Sequence, residues 1–283
     1  MIKGLLSQPL FLSKEGKYML FDTHTHLNVD DFDDDREETI IRARHAGVKG
    51  FALVGFNYHT INRAKEMTKA NGDMVGIYGW HPTEAVDYNV EAEKYLLSNL
   101  EDDRVVAVGE TGLDYYWDTS PREVQEKVFR RQLAIAREFH LPIVIHNREA
   151  TADCYRILKE EKVGDFGGIM HSFGETPEWV EKFLDLGMHI SFSGVATFKK
   201  TVEVREAAKL VPDDKLLIET DSPYLAPVPK RGKRNESAFV AYVAETLAAT
   251  RESSLADFEA QTFQNALDLF ALDFDGQALV KRK

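Results

Sequence analysis

The chain contains one cysteine, Cys154, so no internal disulfide can form. That suits a reducing compartment, and a cytoplasmic location is expected. Cys154 lies in "TADCYRILKE", a helical pattern, where a small half-buried residue accounts for it. No apolar run approaches the length of a membrane span, so no membrane partner is expected. Positive charge is also in short supply: 35 Lys and Arg face 47 Asp and Glu, a formal net charge of −12. This argues against broad electrostatic binding to nucleic acid, which needs a basic surface, but not against a local basic site. Heptads and an obvious pairing face are missing too, so a monomer without an obligate protein partner is expected.

No linker, low-complexity tract or sustained charge block splits the 283 residues. Two average domains or one α/β barrel would fill that length. "DDFDDDREE" is acidic, but it opens a predicted helix, where carboxylates oppose the positive end of the helix dipole. "GLLSQPLFL" near the start is broken by Gln8 and Pro9, and no A-x-A-like cleavage site follows it. Met19 stands just before the first strand core. Residues 1–18 are therefore expected to be a flexible extension, with a native start at Met19, and 19–283 to form the working domain.

Eight short runs rich in β-branched residues follow: "YMLFDTH", "VKGFALVGF", "MVGIYGWHP", "RVVAVGETG", "LPIVIHN", "GGIMHSF", "HISFSGVA" and "KLLIETD". Stretches of helical period lie between them, and two more follow the last. The best marked begins at Ser120, where Ser120 and Glu123 predict a capping box and Pro121 the first helical position. Val124, Val128, Leu133 and Ala136 keep one face of it apolar. Such alternation predicts parallel strands joined by right-handed crossovers.

Almost every run ends in residues foreign to a core. His24 and His26 end the first, His81 the third and Glu110 the fourth. His146 ends the fifth, with Arg148 beyond it, His171 the sixth, and Glu219 with Asp221 the eighth. Carboxyl ends of strands are where parallel α/β folds place their sites. Strict alternation would put Val106, Val108 and Glu110 on one face, and His24 and His26 on the face of Leu20 and Asp22. Imidazoles and carboxylates are the usual nitrogen and oxygen ligands of divalent metals. Strands lie about 4.8 Å apart, so a flat sheet would spread these groups over roughly 20 Å. A closed (β/α)8 barrel gathers them at one mouth. The fold class expected is thus α/β, a single TIM barrel of parallel strands with an additional C-terminal helix, binding metal at its rim. His45, His59, His140 and His189 fall outside the pattern and receive no chemistry.

The segments "FDTHTHLN", "GWHP", "GETGLDYYW", "PIVIHNRE", "GIMHSF", "ETDSPYLAP" and "GKRNES" resemble the TatD-type metal-dependent deoxyribonucleases, a branch of the amidohydrolase-like barrels. They run in family order from about residue 19 to the last helices. The resemblance implies two divalent ions. His24, His26 and Asp221 would hold one, His146 and His171 the other, with Glu110 as the bridge. Glu110 and Asp221 would be catalytic, and His81, Arg148, Tyr224 and Arg234 would contact substrate. Several family members are magnesium-dependent, whereas four imidazoles favour zinc, manganese or iron. A transition metal at rest, with Mg²⁺ or Mn²⁺ supporting activity, is the expectation. Where the family commonly has R-N-E-P, this chain has "RNES", with Ser237 in place of proline.

Two metals can clamp a phosphoryl group and activate water, and Asp221 would take the water's proton. "PVPKRGKRN" adds Lys230, Arg231, Lys233 and Arg234 beside the mouth, and Arg148 could grip phosphate oxygens likewise. Trp80, Tyr115, Tyr116 and Trp117 lie near the same rim and could stack on bases or simply pack. The family implies a 3′–5′ exonuclease on single-stranded DNA. Three other readings stay open: an amidohydrolase-type esterase or amidase, an esterase on a nucleic-acid conjugate such as aminoacyl-tRNA, and a metal-binding scaffold without turnover.

Overall fold

Each apolar run forms a strand and each periodic stretch a helix in the computed structural model, which describes residues 19–117 and 119–282. The extension expected over 1–18 lies outside the described residues. In chain order the first half comprises β1 (Leu20–Thr25), α1 (Arg36–His45), β2 (Val48–Gly55), α2 (Tyr58–Ala70), β3 (Met74–Tyr78), α3 (Val90–Leu100), β4 (Val105–Asp114) and α4 (Arg122–Phe139). The second half adds β5 (Ile143–Arg148), α5 (Thr151–Glu160), β6 (Gly168–Met170), α6 (Pro177–Asp185), β7 (His189–Phe192), α7 (Val202–Leu210) and β8 (Leu216–Ile218). Two helices follow, α8 (Val240–Thr250) and α9 (Leu255–Leu269), then a small antiparallel pair, β9 (Leu272–Phe274) and β10 (Leu279–Lys281). That last pair was not foreseen, because two three-residue strands carry no readable period. No helix among the described residues is long and apolar enough to cross a membrane.

The eight strands pair in parallel in sequence order, β1 to β8. The circle closes without a ladder. His26 N–H donates to Ser222 O at 2.9 Å and Asp221 N–H to His24 O at 2.9 Å. Thr23 Oγ1 donates to Ile218 O at 2.9 Å. The Asp22 carboxylate, also buried, accepts from Thr220 N–H and Thr220 Oγ1. This is a (β/α)8 TIM barrel.

Two apolar layers hold it. Leu20, Phe51, Leu53, Val108, Ile145 and Ile190 pack outward against the helices. Phe21, Ala52, Val75, Val106, Val144, Ile169 and Leu217 fill the interior, where Phe263 and Ala266 of α9 and Phe270 just after it join them. The Phe21 ring lies 6.0 Å from that of Phe263 and 5.9 Å from that of Phe270. Arg104, just before β4, donates to Leu279 O, and Leu279 N–H to Gly72 O. The chain's end therefore seals the barrel where strands begin and leaves the opposite mouth for the site.

Strict alternation fails on both strands that carry the first ligands. Asp22 pairs with Phe51 and Thr25 with Leu53, so three steps on β1 match two on β2. Val108 pairs with Ile143 and Thr111 with Ile145, the same surplus on β4. A further extra residue on β4, between Val105 and Ala107 opposite Gly76 and Ile77 of β3, turns Val106 inward and leaves Val108 facing the helices, as Leu20 does while Phe21 faces inward. The expected rows Val106–Val108–Glu110 and Leu20–Asp22–His24 are broken by bulges that re-aim the residues beyond them. On β5 and β6 the alternation holds: Val144 and Ile169 face inward below His146 and His171.

The start of α4 also differs from expectation. Helix begins at Arg122 with Pro121 as N-cap, and no side chain caps it. Ser120 instead donates its hydroxyl to Thr83 O and accepts from Val86 N–H. A tertiary partner has claimed the hydroxyl that a capping box needs. The apolar face is as expected, with Val128, Leu133 and Ala136 buried.

Candidate active site

The bulge on β4 contains one glycine at positive φ, Gly109 at 148°, and is followed by another, Gly112 at 144°. A Cβ on Gly109 would lie 2.8 Å from Val144 Cβ, and one on Gly112 would overlap His146 O. Only glycine lets β4 approach β5 this closely. The result lifts Glu110, 3% exposed, into the centre of the mouth.

The two oxygens of Glu110 face different partners. Oε2 lies 3.2 Å from His24 Nε2 and 3.7 Å from His26 Nε2. Asp221 Oδ1 completes that group, 3.8 Å from His24 Nε2 and 3.3 Å from His26 Nε2. The two Nε2 atoms are 3.3 Å apart. Ligands about 2.0–2.2 Å from a tetrahedral ion would be separated by about 3.3 to 3.6 Å. The His24 and His26 nitrogens and the Asp221 oxygen, buried at that spacing, are able to hold a divalent cation. Oε1 lies 2.8 Å from His146 Nδ1 and 2.8 Å from His171 Nε2, with His81 Nε2 at 3.7 Å. The six residues singled out as ligands thus come together around one carboxylate.

Two further carboxylates orient the outer rings. Asp114 Oδ2 lies 2.9 Å from His146 Nε2, and Glu219 Oε1 lies 3.1 Å from His171 Nδ1 and 2.7 Å from Ser172 N. Each outer carboxylate holds one N–H and so turns the ring's other nitrogen toward Glu110. Glu219 was noted at its strand end, but Asp114 was missed. A signal existed, since residues 110, 112 and 114 share strand parity.

Charges balance within the cluster. Burial pushes Glu110 up, but the His171 and His24 charges and the hydrogen bonds from His146 and His171 hold it well below the carboxylate range. Burial lowers His171, yet Glu110 and Glu219 raise it well above an ordinary histidine. Burial and the His171 charge lower His24, whose ring stacks on His171 at 4.0 Å. Burial and His146 push His81 down to about 3. His81 Nδ1 accepts Thr83 N–H at 3.2 Å, so neutral His81 presents Nε2–H to the mouth as a donor. Asp221 adopts φ 56°, a left-handed conformation that aspartate tolerates better than most residues.

A family model described as TatD related DNase matches residues 21–271. The chain belongs to this family. The metal-dependent hydrolase YabD of Bacillus subtilis is 45% identical over 90% of this chain and 100% of its own. A protein of Pantoea vagans named 3′-5′ ssDNA/RNA exonuclease TatD is 34% identical over 89% of this chain and 100% of its own. The crystal structure of the TatD homologue YJJV from Escherichia coli superposes with a TM-score of 0.85 at 26% identity, covering 90% of this chain and 98% of that one. The protein is therefore a TatD-family metal-dependent hydrolase.

Around this centre the expected substrate contacts divide. Tyr224 is exposed, its ring 6.0 Å from that of His26. Arg148 is exposed, with its guanidinium 3.9 Å above the Tyr116 ring. Arg234 is engaged elsewhere: it donates to Asp31 O and Asp35 Oδ2, both at 2.7 Å, and lies over Phe32. Trp80 is buried in the core and offers no face to a base. His45, His59, His140 and His189 stay outside the cluster; His59, for one, pairs with Asp30 at 3.0 Å.

Proposed function

We propose that this TatD-family hydrolase is a 3′–5′ exonuclease on single-stranded DNA that uses two divalent ions, zinc, manganese or magnesium, bridged by Glu110. The observation that carries this reading is the division of Glu110, with one oxygen toward His24, His26 and Asp221 and the other toward His146 and His171. Ions bound there would supply Lewis-acid polarisation of a phosphoryl group and a water of lowered pKa. Asp221 Oδ1 faces His26, which leaves Oδ2 to accept the proton of that water. His81 Nε2–H donates to a phosphate oxygen. Arg148 pairs with no carboxylate among the described residues and donates its fork to the same group. Arg234 fastens the Tyr224 loop to the loop after β1 through Asp31 and Asp35.

Relatives named 3′-5′ ssDNA/RNA exonuclease support both the polarity and a tolerance for RNA. On this reading the protein works as a cytoplasmic monomer. The test is incubation of end-labelled single-stranded DNA, an RNA oligomer, an aminoacyl ester and a phosphodiester dye with Mn²⁺ or Mg²⁺. Stepwise shortening from the 3′ end, abolished by Glu110→Ala, is expected. Ester cleavage with intact nucleic acid would overturn the proposal in favour of an esterase.

A further inference from the structure

The chain between β4 and α4 carries three aromatic residues in a row, and only one of them is used by the fold. Tyr115 donates its hydroxyl to Asp153 Oδ2 at 2.9 Å and is covered by the Arg122 guanidinium at 3.9 Å. Tyr116 and Trp117 are 50% and 53% exposed, their rings edge to face at 4.9 Å. Tyr224 and Tyr58 are exposed as well, but Tyr116 and Trp117 stand side by side at the site mouth, and adjoining exposed aromatic surface marks binding.

The backbone that carries these rings is held in place. Asp114 Oδ1 accepts the N–H groups of Tyr116 at 3.0 Å and Trp117 at 2.9 Å. Gln125 of α4 fixes Asp114 in turn, accepting its N–H and donating to its carbonyl. The other Asp114 oxygen bonds His146 Nε2. One carboxylate thus ties the aromatic rim to a ring of the metal cluster. Arg148, two residues past His146, lies 3.9 Å over Tyr116 and 5.7 Å from the Trp117 ring centre. Its guanidinium has one face on Tyr116 and its N–H edge free for a phosphate.

We infer that Trp117, with Arg148 stacked on Tyr116, forms a subsite for an unpaired base flanking the cut phosphodiester. Every base has a π-face, so such a platform is indifferent to sequence. A base inside a duplex cannot reach it, because its faces are covered by its neighbours. The subsite therefore selects single strands and frayed ends, and it does so with few cations, in keeping with a net charge of −12. The inference rests on the nuclease reading above and adds to it the group that is recognised beside the phosphate.

The test compares an oligonucleotide carrying every base with two copies abasic at either nucleotide flanking the 3′-terminal bond. Metal-loaded wild type, Trp117→Ala and Trp117→Phe are assayed on each. Trp117→Ala should lower kcat/KM on the complete strand roughly tenfold, mostly through KM, and Trp117→Phe should restore most of it. On one of the abasic strands wild type and Trp117→Ala should be equal. Intrinsic fluorescence should be quenched when single-stranded DNA binds wild type and not when it binds Trp117→Phe, since the other tryptophans, Trp80 and Trp179, lie in the core or against it. Wild type that shortens DNA while Trp117→Ala does so equally well would overturn this subsite and leave the nuclease standing. Wild type that cuts no nucleic acid would overturn the nuclease reading itself.

Discussion

Asp114 accepts hydrogen bonds from the backbone of Tyr116 and Trp117 on one oxygen and from His146 on the other. Its identity should therefore matter more than its volume. Asp114→Asn keeps an oxygen for the backbone but aims an amide N–H at His146 Nε2, which turns the lone pair outward. Affinity of the stripped protein for Mn²⁺ should fall roughly 10- to 100-fold, read by calorimetric titration, while the melting temperature stays within a few degrees. An unchanged affinity would remove the orienting role from Asp114. Glu110 is more exacting still. Its two oxygens serve two groups of nitrogens, so Glu110→Gln should lower bound metal per chain as well as turnover, measured by elemental analysis after gel filtration.

The C-terminal helix acts as a plug. Phe263 and Ala266 of α9, with Phe270 at its C-cap, pack into the interior layer around Phe21. Phe270→Ala would open a cavity there and should cost about 3 to 5 kcal/mol, visible in urea unfolding. The same helix carries a misplaced acid. Glu259 is buried, its Oε2 has no partner, and burial with the nearby Glu245 charge pushes it up to about 7. A carboxyl raised in the folded state keeps its proton where the unfolded chain has lost it. Stability therefore falls as pH rises from about 4.3 through 7, and the loss is complete above that window. Glu259→Gln should match wild type at pH 4 and exceed it by about 1 to 2 kcal/mol at pH 8, after allowance for solvent screening. Equal curves at both pH values would show that the acid is relieved by other means.

At the scale of the whole barrel, the cluster draws on β1, β4, β5, β6 and the segment after β8, so an ion held there would link strands from both halves of the chain. Ions that bind only the folded state stabilise it, by about 2.7 kcal/mol at a hundredfold excess over Kd. Stripping with a chelator should lower the melting temperature by several degrees, and Mn²⁺ or Zn²⁺ should restore it in wild type but not in His24→Ala. A melting temperature indifferent to both treatments would argue that the imidazoles pair only with carboxylates.

Local pattern was enough to read eight strands, their helices and the polar strand ends, His24, His26, Glu110, His146, His171 and Asp221, that the barrel brings together. Strand and helix periods are properties of neighbouring residues, and ligand chemistry at strand ends is visible without knowing the partners. What the tertiary structure decided depends on residues far apart in sequence. Closing the ring forced bulges into β1 and β4 that no alternation rule contains. It set one Glu110 oxygen against each pair of histidines, gave Asp114 and Glu219 their rings to orient, took the Ser120 hydroxyl from its helix, and committed the Arg234 fork to Asp35. A side chain's type limits what it can bind, but only the packed chain settles which of several competent partners lies within a hydrogen bond's reach.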